Sequence, residues 1–250
     1  MIWVLLRGLT RESRHWGDFP AVLEAAIPGA RAVALDLPGC GALHRQRSPT
    51  SVTAMVERYR GQLDAAGCAP PFHLIGLSLG GMAAAAWAAR HAPEVAACVL
   101  VNASMRPHGR WHERLRPGRY GTLIRLAAGG ATDREREATV LRLTSATTAA
   151  SPPLLDAWAA YRRDRPVSAA NALRQLLAAA VFRGPATAPV PTLVLASEHD
   201  RLVDPACSRR LAAAWKVPLK VHPRAGHDIP LDDPAWVVAQ VRDWSAALRR

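Results

Sequence analysis

His73-Leu74-Ile75-Gly76-Leu77-Ser78-Leu79-Gly80-Gly81-Met82-Ala83-Ala84-Ala85-Ala86-Trp87 is the stretch whose reading decides the fold. An apolar run over residues 72–77 meets Gly-x-Ser-x-Gly and passes directly into an alanine-rich segment. That order predicts a strand, a sharp turn carrying Ser78, and a helix. A serine on such a turn has a strained backbone and a hydroxyl that projects clear of the sheet. Gly76 and Gly80 remove the side chains that would collide where strand and helix fold close together. The helix N-terminus then aims free N–H groups at the place where negative charge develops during acyl transfer.

Outward from this elbow, strand and helix patterns alternate. The continuous apolar run at residues 2–6 and the segments 30–37 and 95–102 read as further strands of a buried parallel sheet. Helical spacing fills residues 16–27, stopped by Pro28-Gly29, and residues 51–66, stopped by Gly67. Between residues 105 and 186 only helical signals occur. Thr132-Asp133-Arg134-Glu135 is a capping box, Ser151 precedes Pro152-Pro153, and Ser168 is placed to cap a helix running towards Phe182. Alternation resumes with a strand at 190–197, a helix near 207–215, a strand at 217–222 and a helix from Asp233. The expected architecture is α/β, with about six parallel strands and helices on both faces. Residues 1–104 and 187–250 form its core, and 105–186 form a helical cap (lid) inserted after the fourth strand.

Composition narrows the function classes. With 250 residues, half of them apolar, the chain can bury one large core. No apolar run approaches the roughly 18 residues needed to span a bilayer, and residues 1–8 read as a first strand, not a signal peptide. Cys40, Cys68, Cys98 and Cys207 lack metal or disulfide spacing, which suits reduced thiols in a cytoplasm. His108 and His112, with Glu113 beside them, lack the second histidine of H-E-x-x-H and read as surface histidines.

The formal charge is +12, and Lys216 and Lys220 are the only lysines among 32 basic residues. Such a charge favours acidic partners. No recognition motif or aromatic platform accompanies it, so no nucleic-acid partner is expected. Residues 105–186 hold 14 arginines against six acids. This segment is either a solvated helical surface or a basic lid that docks an acidic acyl carrier or an anionic substrate.

A serine hydroxyl is a poor nucleophile at neutral pH and needs a base that is itself oriented by an acid. In a sheet of this kind the acid and base follow the serine along the chain, on loops after later strands. Asp200, in Ser197-Glu198-His199-Asp200, stands just beyond one strand, and His227, in Ala225-Gly226-His227-Asp228, just beyond the last. Asp204, four residues past Asp200, is the rival acid. Asn102 ends the strand after the elbow, and an amide there argues against an acid at that place. Asp36 and Asp228 read as loop and turn hydrogen-bonding residues.

With these residues in view, the chain resembles enzymes of the α/β-hydrolase fold with a helical cap. The motifs that carry the likeness are Gly76-Leu77-Ser78-Leu79-Gly80-Gly81, Asp36-Leu37-Pro38-Gly39-Cys40-Gly41, Glu198-His199-Asp200-Arg201-Leu202-Val203-Asp204-Pro205 and Gly226-His227. The resemblance implies Ser78 as nucleophile, His227 as base and then acid, and Asp200 as the orienting carboxylate. It implies an oxyanion hole made by the backbone N–H groups of Leu9 and Leu79, and no metal or organic cofactor. Within the family the chain loosely resembles small cytoplasmic carboxylesterases acting on the methyl ester of pimeloyl-acyl carrier protein.

Two departures stand out. Arg7-Gly8 replaces the family's usual His-Gly, which places a guanidinium where it would meet a substrate carboxylate. The chain also begins at what is normally the third strand. The expected activity is ester hydrolysis through an acyl-enzyme. Thioester, lactone or C–C bond hydrolysis on the same triad is the alternative, and a non-catalytic binding protein is a further one. Activity is expected to fall below pH ~6, because a histidine of ordinary pKa ~6.5 must be neutral to act as base.

Overall fold

The structure, a computed structural model, describes residues 1–128, 130–147 and 151–248. Six segments become strands β1 (Ile2–Leu6), β2 (Arg31–Leu35), β3 (Phe72–Leu77), β4 (Val95–Val101), β5 (Thr192–Ser197) and β6 (Leu219–His222). They form one sheet in the order β2-β1-β3-β4-β5-β6, and every pairing is parallel. Parallel pairing places all the loops that follow the strands at one edge, which is where Ser78, Asp200 and His227 arrive.

The helices of the first half are α1 (Phe19–Ala26), α2 (Val52–Ala65) and α3 (Leu79–Arg90). Between β4 and β5 lie α4 (Trp111–Arg114), α5 (Tyr120–Ala128), α6 (Asp133–Thr144), α7 (Pro152–Asp164) and α8 (Ala169–Val181). The chain closes with α9 (Pro205–Trp215), α10 (Ile229–Asp232) and α11 (Pro234–Ala247). Ser51 caps α2 by accepting from Ala54 N at 3.2 Å, and Asp233 caps α11 by accepting from Trp236 N at 2.9 Å. The helix expected over residues 16–27 is divided: a 3-10 turn, Ser13–Trp16, precedes α1. Gly17 at φ +53° breaks the path, and Pro20 suits the first turn of a new helix.

Alternate residues of each strand feed two cores. Val4, Leu6, Leu74, Cys98, Leu100 and Val194 pack against residues of α2, α3 and α9. Trp3, Leu5, Ile75, Leu77, Val99 and Leu193 pack against Phe19, Leu23, Val237 and Val241 on the other face. Coverage on both faces is why central strands such as β1 and β4 read as apolar runs. Truncating one of these fully buried leucines to alanine would cost about 2–5 kcal/mol.

Among the described residues no strand occurs between β4 and β5; a single bridge between Arg106 and Arg183 joins the two ends of the segment. The capping box of α6 forms, with Glu135 N donating to Thr132 Oγ1 and Thr132 N to Glu135 Oε2. Ser168 caps α8 through Asn171 N at 3.2 Å, whereas Ser151 precedes α7 without a side-chain cap bond. The segment docks onto the sheet domain through buried polar groups. Asn171 Oδ1 accepts from Ser48 N at 3.0 Å, and Gln175 Oε1 accepts from Thr10 N at 2.8 Å. Glu137 of α6 accepts from Arg11 Nη1 at 2.6 Å. No helix among the described residues is long and apolar enough to cross a membrane.

Candidate active site

Ser78 sits between β3 and α3 at φ +57°, ψ −114°. A side chain in that region is unfavourable by roughly 1–3 kcal/mol, so the surroundings must enforce it. Ser78 N donates to Val101 O of β4 at 2.9 Å, and Ser78 O accepts from Gly81 N at 3.0 Å. A Cβ on Gly76 would run into the Gly80 carbonyl, and one on Gly80 into the Leu6 carbonyl. The two glycines therefore let β3, α3 and the end of β1 meet at the serine.

The loop after β1 passes directly against Ser78: a Cβ on Gly8 would lie 3.3 Å from Ser78 Cβ. Leu9 follows Gly8, and Leu79 begins α3. Among the described residues neither N–H of this pair donates a hydrogen bond. Thr10 is held at φ +58°, uncommon for a β-branched residue, by its N–H bond to Gln175 of α8. The shape of this loop thus depends on the helical segment docked above it.

Asp200 follows β5 and His227 follows β6. Asp200 Oδ2 lies 2.6 Å from His227 Nδ1, and both residues are buried. The other oxygen, Oδ1, accepts from the N–H groups of Leu202 and Val203 at 2.8 and 2.9 Å. A carboxylate fixed on both oxygens orients the imidazole and leaves Nε2 as the face for proton transfer. Burial pushes the His227 pKa down, but the charge and hydrogen bond of Asp200 outweigh it, and the net shift is upward. Asp228 adds to that rise and Arg7 opposes it.

The rival acid is elsewhere: Asp204 caps α9 by accepting from Ala206 N at 2.9 Å and pairs with Arg116 at 3.4 Å. Asp36 is a loop anchor, accepting from Ser13 N at 2.7 Å and Ala42 N at 2.8 Å. Glu113 pairs with Arg210, and among the described residues no group of His, Cys, Asp and Glu is arranged to hold a metal. All four cysteines are buried, and burial pushes the Cys40 thiol up to about 12 and Cys207 to about 11. Protonated thiols of this kind are not competing nucleophiles.

Arg7 lies at the end of β1, and the carboxylate that it meets is the protein's own. Its Nη1 and Nη2 donate to Asp228 Oδ1 and Oδ2 at 3.3 and 2.5 Å, in a pair about 3% exposed on each side. Trp16 stacks beneath the guanidinium, with 4.9 Å to the ring centre. A substrate carboxylate would have to displace Asp228. The pair links the residue before Gly8 to the residue after His227, so the loop beside Ser78 and the loop carrying the base are joined.

Two further residues organise the site without having been singled out as functional by the sequence. Asn102, at φ +44°, is buried between three loops. Its Nδ2 donates to His227 O at 2.8 Å, and its Oδ1 accepts from Ser197 N at 3.0 Å. Asparagine at a strand end is the signal available for such a left-handed turn. Asp232 of α10 accepts from Gly226 N at 2.7 Å, from Ser145 Oγ at 2.5 Å and from Ala146 N at 2.9 Å. It fastens the His227 loop to the end of α6, and a lone aspartate in a turn carries no sequence signal for that task. The structure therefore joins Asp200 to His227 and sets Ser78 at the same sheet edge. Among the described residues no hydrogen bond joins the Ser78 hydroxyl to His227. Such contacts commonly tighten only with substrate.

A sequence model described as the Alpha/beta hydrolase family matches residues 3–240. Several solved structures share the fold. An esterase from Thermogutta terrifontis is 21% identical, with 100% of this chain and 91% of that one covered and a TM-score of 0.77. A putative lipase from Acinetobacter baumannii AYE is 20% identical over 99% and 84% of the two chains, with a TM-score of 0.79. A meta-cleavage product hydrolase from Pseudomonas fluorescens IP01 is 18% identical over 99% and 91%, also with a TM-score of 0.79. None of the curated proteins compared with the chain matched it.

Proposed function

The chain belongs to the alpha/beta hydrolase family, and from that premise we propose that it is a serine hydrolase that cleaves carboxylic esters through an acyl-enzyme. The observation that carries this reading is the buried Asp200–His227 hydrogen bond, at the sheet edge where Ser78 occupies a strained elbow. Ser78 Oγ attacks the ester carbonyl while His227 Nε2 takes its proton. The N–H groups of Leu9 and Leu79 hold the oxyanion, and Asp200 stabilises the imidazolium through Nδ1. His227 then protonates the departing alcohol. In the second half, water loses a proton to the same nitrogen and releases the acid.

The acyl group is proposed to be small or carrier-bound, with the basic segment at residues 105–186 meeting an acidic acyl carrier. A steep salt dependence with carrier-bound esters, absent with small ones, is the expected sign of such docking. The experiment for the reaction itself is steady-state hydrolysis of p-nitrophenyl esters of graded acyl length, beside a thioester and a lactone. Turnover of the esters, lost by about 10⁴-fold or more in Ser78→Ala, is the expected result. Preferential turnover of the thioester or lactone would replace the ester reading with another reaction on the same three residues. Unaltered ester turnover in Ser78→Ala would overturn the serine mechanism.

A further inference from the structure

Fewer than half of the 30 arginines are neutralised by an ion pair among the described residues. Those at positions 7, 11, 14, 60, 116, 134, 162, 209 and 210 all sit within ion-pair distance of a carboxylate on another residue. Four of the arginines without an ion pair are gathered in one concavity. Between α5, α6 and the loop after β5 lies a cleft of about 550 Å³, open to solvent. Arg119, Arg125, Arg142 and Arg201 line it, with the hydroxyl residues Thr122 and Thr139. No acidic residue is among its lining, and among the described residues none of the four arginines is in an ion pair.

The guanidinium groups are nevertheless held in place. Arg119 Nε donates to the Arg201 carbonyl at 3.1 Å, and Arg201 Nη1 donates to the Arg142 carbonyl at 2.9 Å. Arg142 Nη2 donates to Thr139 Oγ1 at 2.9 Å, and Arg125 reaches Thr122 Oγ1 at 3.5 Å. Each contact spends one donor on a neutral oxygen and leaves the charge and the remaining donors of the fork free. Four like charges in one concavity repel one another, and the repulsion is relieved only by counter-charge. Planar, multidentate donors in that arrangement match phosphate and carboxylate oxygens. The volume lies within the range of small-molecule sites, and it is concave, where a docking surface for a folded partner is broad.

We propose that this cleft is a binding site for a small ligand carrying two or more phosphate or carboxylate groups. The site does not include Ser78, so it stands or falls independently of the reaction at the elbow. It abuts that reaction through the chain: Arg201 follows Asp200, and Arg142 lies two residues before Thr144, whose carbonyl accepts from Asp228 N at 2.8 Å.

The test is isothermal titration calorimetry with inorganic tripolyphosphate at 150 mM salt, a concentration at which diffuse surface attraction is screened beyond about 8 Å. Four proteins are compared: wild type, Ser78→Ala, the double variant Arg125→Gln/Arg142→Gln, and the double variant Arg163→Gln/Arg174→Gln. The last removes two charges from the same helical segment outside the cleft. Arg125 and Arg142 are exposed, and circular dichroism checks that both double variants keep the fold. Wild type, Ser78→Ala and the Arg163/Arg174 variant are expected to bind with the same affinity, and the Arg125/Arg142 variant at least tenfold more weakly. Equal weakening in the two double variants, or no binding to wild type at this salt, would overturn the proposal.

Discussion

Arginine does opposite work in two parts of this molecule. Beside the sheet edge Arg7, Arg11 and Arg14 pair with Asp228, Glu137 and Glu12, and each lies 4.4–4.9 Å over the ring of Trp16, Trp158 or Tyr161. There the side chain is a structural strut, half cation and half flat surface, buried at Arg7 and half-buried at Arg11 and Arg14 with its charge matched. In the cleft between α5 and α6 the same residue type rests on neutral oxygens and keeps its charge outward. A formal charge of +12 therefore says little about where the field is. Neutralisation decides it, and neutralisation is a property of the fold.

The largest expected effect comes from the strut side, at the acid that orients His227. Asp200→Asn keeps an oxygen for the loop N–H groups but favours the wrong imidazole tautomer, and kcat should fall by about 10⁴-fold in ester hydrolysis. Asp228→Ala strands the buried Arg7 charge and should destabilise the protein by about 3–5 kcal/mol in urea unfolding. Replacing Arg7 by Met in the same chain should restore most of that loss. If it does not, the pair is more than a strut.

The His227 pKa lies above its ordinary value because Asp200 outweighs burial. A base must be neutral, so a raised pKa moves the acid limb of kcat/KM upward, above the ordinary ~6.5 of histidine. The limb is thus expected at higher pH than the sequence alone indicates. Asp200→Asn should shift what activity remains towards lower pH, read from a pH–rate profile. The smallest effect belongs to the helical segment: Thr132→Ala removes the cap of α6 and should cost about 1 kcal/mol. Faster amide exchange in α6, with unchanged turnover of a small ester, would localise it.

Much of this was legible in the sequence, for identifiable reasons. β1 and β3 match the apolar runs because a strand covered on both faces must be continuously apolar. The sequence also places Ser78 directly after β3 and Asp200 and His227 on the loops after β5 and β6, because parallel strands send those loops to one edge. α4 and α5 were not legible, since Pro107, Gly109, Pro117 and Gly118 break the periodicity around them. Nor was the Arg7–Asp228 pair, whose members stand 221 residues apart. The sequence makes Arg7 a candidate to face substrate, because no local pattern names a partner so distant. Asn102 shows in sequence only an amide at a strand end, and its service as a three-way hydrogen-bonding anchor depends on the loops assembled around it.

The proposed reaction depends on activation of Ser78 by His227. Its most direct measurement is peptide mapping of the adduct formed by a fluorophosphonate, with the rate of labelling followed against pH. The adduct is expected on Ser78 alone, forming more slowly as falling pH protonates His227 and not forming in His227→Ala. An adduct on another residue, or labelling of His227→Ala at the wild-type rate, would contradict it.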